Sequence, residues 1–291
     1  MKIEDVALSF VPNITPRVIA HLLEIFGSAE AIYSASEGDL LHRAELREDI
    51  VRSIIKKDSF TRAEREIRSC EKSGIALLAS TDSHYPEQLR FTADYPHIIY
   101  IVGDRSLINN TMLCALTGER ESISSYGEKM VFRLLEQIAE IVPETVIVGA
   151  VEGGVDAVAL RAAQHFGLRC IGVSGSMLSH IEPSYCTRVA EEILDSGGLL
   201  ISEIGSECKN FDTVGTAHHR VIAGLCSGVV VVEGSKVPDI ARYADSYSRQ
   251  LFALPGRVTD SMSWGANAMI ASSMAQMVCS GRDIVEQLGW E

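Results

Sequence analysis

Residues 145–156 read Thr145-Val146-Ile147-Val148-Gly149-Ala150-Val151-Glu152-Gly153-Gly154-Val155-Asp156. An unbroken apolar run ends in small residues, and a helical pattern then continues to Gly167. A strand with no polar alternation is one buried on both faces, as in a parallel sheet covered by helices. The same unit recurs on either side. Upstream, Met112 to Thr117 is a short apolar run ending at Gly118, followed by a helical stretch over 125–141 with Val131, Leu134, Leu135 and Ile138 on one side. Downstream, Cys170 to Ser174, Leu199 to Ile204, Val229 to Val232 and Leu251 to Leu254 are further runs separated by helical stretches. This alternation predicts an α/β fold, a Rossmann-like doubly wound, mostly parallel sheet, over residues 109–291.

Residues 1–75 carry a different pattern. Thr15 can cap a helix with Pro16 in its first turn and Gly27 at its end, because proline lacks only an amide the helix leaves free and glycine accepts positive φ. Val18, Ile19, Leu22, Leu23 and Phe26 give that helix one apolar face. Further amphipathic stretches run to Ser73-Gly74, and a small all-helical domain is predicted. Residues 76–108 read as an extended connector with strand-like pieces, since Pro86 and Pro96 force extended backbone before them.

At 291 residues the chain suits two domains, and 46% hydrophobic with 22% charged residues excludes a disordered or fibrous protein. No apolar run approaches the length of a membrane span, and no basic segment feeds a secretory leader, so neither is expected. Seven scattered cysteines without a CxxC pair fit free thiols in a reducing cytoplasm. The net charge is −13, with 13 Lys/Arg against 17 Asp/Glu in residues 1–105 and 13 against 22 in residues 106–291. Neither part has the basic balance of most nucleic-acid binders, which restricts any such site to a local cluster of cations.

In doubly wound sheets ligands bind beyond the carboxyl ends of the strands. Three loops there hold candidate groups. In Gly118-Glu119-Arg120-Glu121-Ser122-Ile123-Ser124-Ser125-Tyr126-Gly127, glycine permits close approach of a phosphate, Arg120 can grip it, and the next helix offers free amides; the same loop can equally be a turn whose arginine pairs with a neighbouring glutamate. The loop from Gly149 through Gly153 and Gly154 either cradles a phosphate or only packs strand against helix. Arg220, in Thr216-Ala217-His218-His219-Arg220, places a cation at a helix start, which the helix dipole disfavours, so it requires a partner: Glu203 or a bound anion. His218 and His219 with Cys208 or Cys226 lack zinc-type spacing, and no metal or cofactor is assigned. Gly172-Val173-Ser174-Gly175-Ser176 is not a nucleophile elbow, and Asp156, Glu203 and Glu233 near strand ends can be acids, bases or structural carboxylates.

The order of these pieces resembles the DNA-processing protein A family (DprA, also called Smf) over nearly the whole chain. The helical domain is similar to the family's helix-hairpin-helix or SAM-like module. Tyr85-Pro86-Glu87-Gln88-Leu89 and Tyr95-Pro96-His97-Ile98-Ile99-Tyr100-Ile101-Val102-Gly103 resemble its connector. Gly118, Arg120, Ser124, Tyr126 and Gly127 resemble its G-x-R-x-x-S-x-YG loop with one residue inserted. Gly153-Gly154-Val155-Asp156, Ile201-Ser202-Glu203, Arg220 to Leu225, Val230 to Glu233, Phe252 to Gly256 and Gly265 to Ile270 follow in the family's order.

The resemblance implies a non-enzymatic cytoplasmic protein that binds single-stranded DNA, assists loading of the RecA recombinase in natural transformation, and forms a homodimer through the Rossmann-like domain. It implies a phosphate-binding pocket from Gly118, Arg120, Ser124, Gly149, Gly153, Gly154 and Arg220, supported by Asp156, Gly224 and Glu233. The chain also departs from the pattern. His218-His219-Arg220 stands for R-N-R, Gly153 for the arginine of S-G-L-A-R-G-I-D, Leu160 for a histidine, and Glu182-Pro183 and Cys186 for Tyr-Pro and asparagine. Asn13-Ile14-Thr15 lacks the hairpin glycine, and the winged-helix module of many relatives is not expected. Two other readings stand beside this one. One is a phosphoribohydrolase-like nucleotide enzyme, for which Gly215-Thr216 is the sole trace of the P-G-G-x-G-T-x-x-E loop. The other is a degenerate relative acting only through protein contacts.

Overall fold

The computed structural model describes residues 2–206 and 217–290. Thr15 caps its helix as its chemistry requires: the hydroxyl oxygen accepts from the Val18 amide at 3.3 Å, Pro16 occupies the first turn, and Gly27 ends it at φ 81°. Helices α1 (Ile3–Ser9), α2 (Pro16–Phe26), α3 (Ala29–Ser34), α4 (Glu48–Lys56) and α5 (Phe60–Lys72) pack around Leu8, Leu22, Ile32, Leu40 and Ile54. Asn13, between α1 and α2, takes φ 62° and donates to the Asp49 carboxylate at 3.0 Å. Asparagine tolerates the left-handed region, so the hairpin forms without glycine.

Residues 76–108 do more than connect. β1 (Ala76–Ala79) pairs antiparallel with β2 (Ile98–Gly103), and α6 (Glu87–Arg90) lies between them in the chain. β2 in turn pairs antiparallel with β6 (Leu199–Ser202), so the segment extends the main sheet. Ala79, Ile98 and Tyr100 from these strands also enter the core of the helical domain.

The remaining strands are β3 (Leu113–Gly118), β4 (Val146–Ala150), β5 (Arg169–Ser174), β7 (Gly228–Glu233), β8 (Gln250–Ala253) and β9 (Gln276–Met277), all parallel to their neighbours and to β6. The described residues form one nine-stranded sheet in the order β1-β2-β6-β5-β4-β3-β7-β8-β9. Alternate side chains of the apolar runs serve opposite faces. Leu113, Ala115, Val146, Val148, Val229 and Val231 meet α10 (Ala217–Leu225), α11 (Asp239–Ser246) and α12 (Trp264–Ala271). Cys114, Leu116, Ile147, Val230 and Val232 meet α7 (Ser125–Ile141), α8 (Gly154–His165), α9 (Ser184–Asp195) and α13 (Gly281–Leu288). This is the doubly wound α/β sheet the sequence predicts. The chain lays down β3 to β6 in one direction, then returns to place β7 to β9 on the other side of β3. Strand order therefore reverses between β3 and β7, where such sheets open a crevice. Among the described residues no helix is long and apolar enough to cross a membrane.

Candidate nucleic-acid interface

Beyond the carboxyl ends of β3, β4 and β7 lies a cavity of about 430 Å³ bordered by Gly118, Arg120, Glu152, His219, Lys236 and Asp239. A second, of about 370 Å³, lies against Arg120 and Glu152 and reaches Gly175, Tyr185 and His218. Three strand ends converge here because the sheet makes them neighbours, although their loops are far apart in sequence.

Gly118 closes β3 against the end of β7. The Glu119 amide donates to the Glu233 carbonyl at 3.0 Å, and a β-carbon at Gly118 would collide with that same oxygen. Ser124 caps α7, its hydroxyl oxygen accepting from the Gly127 amide at 3.0 Å. The anion at this helix start is internal. The buried Glu233 carboxylate accepts from the Ser124 amide and from the Ser124 hydroxyl, both at 2.6 Å, and a β-carbon at Gly127 would fall 2.5 Å from its carbon. At Ser124, expected to hold a phosphate, a side-chain carboxylate satisfies both donors and the positive end of the helix in this structure.

Arg120 donates from Nε and Nη2 to the two oxygens of Glu152, at 2.6 and 2.7 Å. Its side chain stays 50% exposed, against 13% for Glu152. Glu152 Oε1 also lies 2.9 Å from Nε2 of the buried His218. Burial alone would raise the Glu152 carboxyl, but His218 and Arg120 beside it hold it below the usual range. The His218 and His219 rings meet edge to face with centroids 4.4 Å apart. Burial, with His218 adjacent, pushes the His219 imidazole down to about 4.

The glycines of the second loop shape the backbone. Gly154 takes φ 60°, and a β-carbon there would overlap the Glu119 carbonyl, which accepts the Val155 amide at 3.0 Å. Gly153 passes close to the Arg120 carbonyl, and Gly149 packs against Leu160 of α8. Asp156, in the first turn of α8, accepts from Thr117 Oγ1 at 2.8 Å and from the Ala150 amide at 2.9 Å, tying the ends of β3 and β4 to the helix. Its burial lifts the carboxyl to about 6 against these bonds.

Arg220 faces elsewhere. It donates to the Asp94 carbonyl and to Glu203, and both side chains of this ion pair are nearly buried. Burial raises the Glu203 carboxyl, and Arg220 opposes that rise. Of the two partners open to Arg220, a carboxylate or a bound anion, the structure provides the carboxylate. Gly224, further along α10, lets Leu89 and Thr92 approach the helix. Cys226 is buried near Cys114 and Arg249, and Cys208 and Gly215-Thr216 lie outside the described residues.

With this geometry in hand, residues 76–289 match the family model described as DNA recombination-mediator protein A. The chain belongs to that family. Protein Smf of Escherichia coli K12 is 32% identical over 237 residues, covering 79% of this chain and 62% of that one. The match thus spans less than two thirds of the Escherichia coli protein. The structure of DNA processing protein A from Streptococcus pneumoniae superposes with a TM-score of 0.81 at 25% identity, covering 98% of both chains. That of the Helicobacter pylori DNA processing protein A, which was solved for its single-stranded DNA binding mode, gives 0.63 at 24% identity, covering 74% of this chain and 96% of that one.

Within the DprA family's frame, the roles of three groups at the crevice were not readable from the sequence. Glu152 is the carboxylate on Arg120, Lys236 is a second cation on the rim, and the Glu119 carboxylate accepts from the Ser235 hydroxyl at 3.0 Å across the mouth. Each lies one to four residues past a strand end that was predicted. Finding them required the strand order, because β3, β4 and β7 are adjacent in the sheet and remote in the chain.

Proposed function

We propose that this chain is a DNA-processing protein that binds single-stranded DNA at the crevice beyond β3, β4 and β7. It acts in the cytoplasm without catalysis, assists loading of RecA during uptake of DNA, and works as a homodimer through its Rossmann-like domain. The observation that carries the reading is the family match over residues 76–289, which takes in every strand bordering the crevice. Arg120 and Lys236 on its rim are the cations, and the loop Gly118 to Glu121 is the surface along which a backbone phosphate lies. Arg120 is half exposed, so a phosphate reaches it by displacing Glu152. Non-catalytic action agrees with Asp156 and Glu233 each being committed to internal hydrogen bonds and Glu203 to Arg220.

The test is fluorescence anisotropy with labelled oligothymidylate over a salt series. Binding at low salt that weakens linearly with log salt, and weakens again in Arg120→Ala, is the expected result. Absence of binding at low salt rejects the reading. The same titration addresses the second reading, a relative acting through protein contacts alone. That reading is favoured by both motif arginines bearing carboxylates.

A further inference from the structure

We propose that Glu152, His218 and His219 form a binding site for a transition-metal ion of the Zn²⁺ type, open to the crevice. The inference rests on these side chains alone and does not depend on DNA binding.

Each of the three residues offers a ligand atom, and these atoms lie within 4.8 Å of one another. Two imidazoles and one carboxylate, with a fourth position left to water, is a donor set suited to Zn²⁺; imidazole nitrogen selects against Mg²⁺ and Ca²⁺, which take oxygen. Tetrahedral ligation at ordinary Zn–N and Zn–O lengths places ligand atoms about 3.3 Å apart. His218 Nε2 and Glu152 Oε1, 2.9 Å apart, already approximate such a pair, and His219 offers its ligand atom within 4.8 Å of both.

The independent observation is the state of the imidazole nitrogens. His218 Nδ1 and His219 Nδ1 are buried and lack a hydrogen-bond partner among the described residues. His218 Nε2 faces Glu152 Oε1 at 2.9 Å. Buried polar atoms without partners are uncommon, and two in consecutive residues at the mouth of a cavity require a reason. A cation bound between them supplies it.

The surrounding charge decides between a cation and an anion. Asp156 lies close enough to act on Glu152 and His218, and Asp239 on His219. Glu119 and Glu121 border the 430 Å³ cavity on the same side. These carboxylates outnumber Arg120 and Lys236. With Oε1 given to the metal, Arg120 retains Nε on Oε2 and becomes the outer partner that orients the ligating carboxylate. Two positions where the family pattern carries fixed cations here carry His218 and Gly153, so a metal ion would return positive charge to the crevice.

The test is titration of the full chain with Co²⁺, read by visible absorption, followed by competition with Zn²⁺ against a chromophoric chelator. One equivalent bound, with ligand-field bands of a nitrogen and oxygen site, is expected. Affinity should fall about tenfold or more in His218→Ala, His219→Gln and Glu152→Gln and remain unchanged in Cys279→Ser. Far-UV circular dichroism checks each fold, and His219→Gln carries the comparison should His218→Ala misfold. Sub-stoichiometric binding, a thiolate-to-cobalt charge-transfer band, or undiminished affinity in the histidine variants overturns the proposal. No DNA enters the measurement, so failure of the DNA-binding reading leaves its outcome distinct.

Discussion

A carboxylate that grips a guanidinium through both oxygens does two opposed things: it fixes the cation in place and competes with any other anion for it. Glu152 does this to Arg120 at the crevice mouth, where the arginine is half exposed. Glu152→Gln, measured in the presence of a chelator, is therefore expected to raise affinity for oligothymidylate. Arg120→Ala lowers it and flattens the salt dependence by about 0.7 in slope, the share of one phosphate that the guanidinium no longer neutralises. Equal affinities in the three proteins would remove Arg120 from the site. Arg220 behaves differently, because its partner Glu203 is buried with it. Arg220→Ala leaves that carboxylate unpaired in the interior and costs about 3–5 kcal/mol of stability, read as a fall in the denaturant midpoint. The affinity of the folded fraction for DNA should scarcely change.

Asp156 extends the argument from single groups to the joint between strands and helix. It ties β3 and β4 to α8 while its burial lifts the carboxyl from 3.8 to about 6. A raised carboxyl means the folded chain keeps a proton that the unfolded chain has released. Stability from this group is then present below pH 3.8 and lost as pH rises towards about 6. Relative to wild type, Asp156→Asn should gain up to about 3 kcal/mol between these limits, seen by chemical denaturation at several pH values. A constant difference across that range would show that the joint holds a normal carboxylate. Gly154 in the same turn admits no side chain, since φ is 60° and Glu119 blocks a β-carbon. Gly154→Ala is expected to cost more than about 1 kcal/mol and to displace Glu152 with the turn.

Elements of this kind were legible where local chemistry dictates them. Thr15, Pro16 and Gly27 mark both ends of α2, and the stripe Val131, Leu134, Leu135 and Ile138 gives α7 over residues 125–141. The glycines beyond β3 and β4 were located as well. Their purpose was not legible, because Gly118 and Gly154 accommodate the carbonyls of Glu233 and Glu119, and which backbone passes a glycine depends on strand order. The two arginines were found for the same local reason, and Glu203 was one of the two partners open to Arg220, whereas the carboxylate on Arg120 was hidden for the same long-range one. Arg120 meets Glu152 from the adjacent strand end, and the sheet alone makes them neighbours.

At the scale of the whole molecule, the helical domain and the sheet share a boundary that neither could lose without exposing apolar surface. Ala79, Ile98 and Tyr100 lie in the helical domain's core, yet they belong to strands whose hydrogen bonds run through β2 to β6. Glu66 of α5, fully buried, accepts from the Ser206 amide at 2.9 Å and from the Ser206 hydroxyl, just beyond β6. Separating the domains would strip these partners from a buried carboxylate as well as uncover apolar side chains. The protein is therefore expected to unfold in a single transition. The composition offers a direct check, because its two tryptophans, Trp264 and Trp290, both lie in the Rossmann-like domain. Their fluorescence follows the sheet, and far-UV circular dichroism follows all helices, including α1 to α5. Superimposable denaturation curves from the two probes are the expected result, whereas an earlier dichroism transition would mean that the helical domain melts on its own and that β1 and β2 only connect.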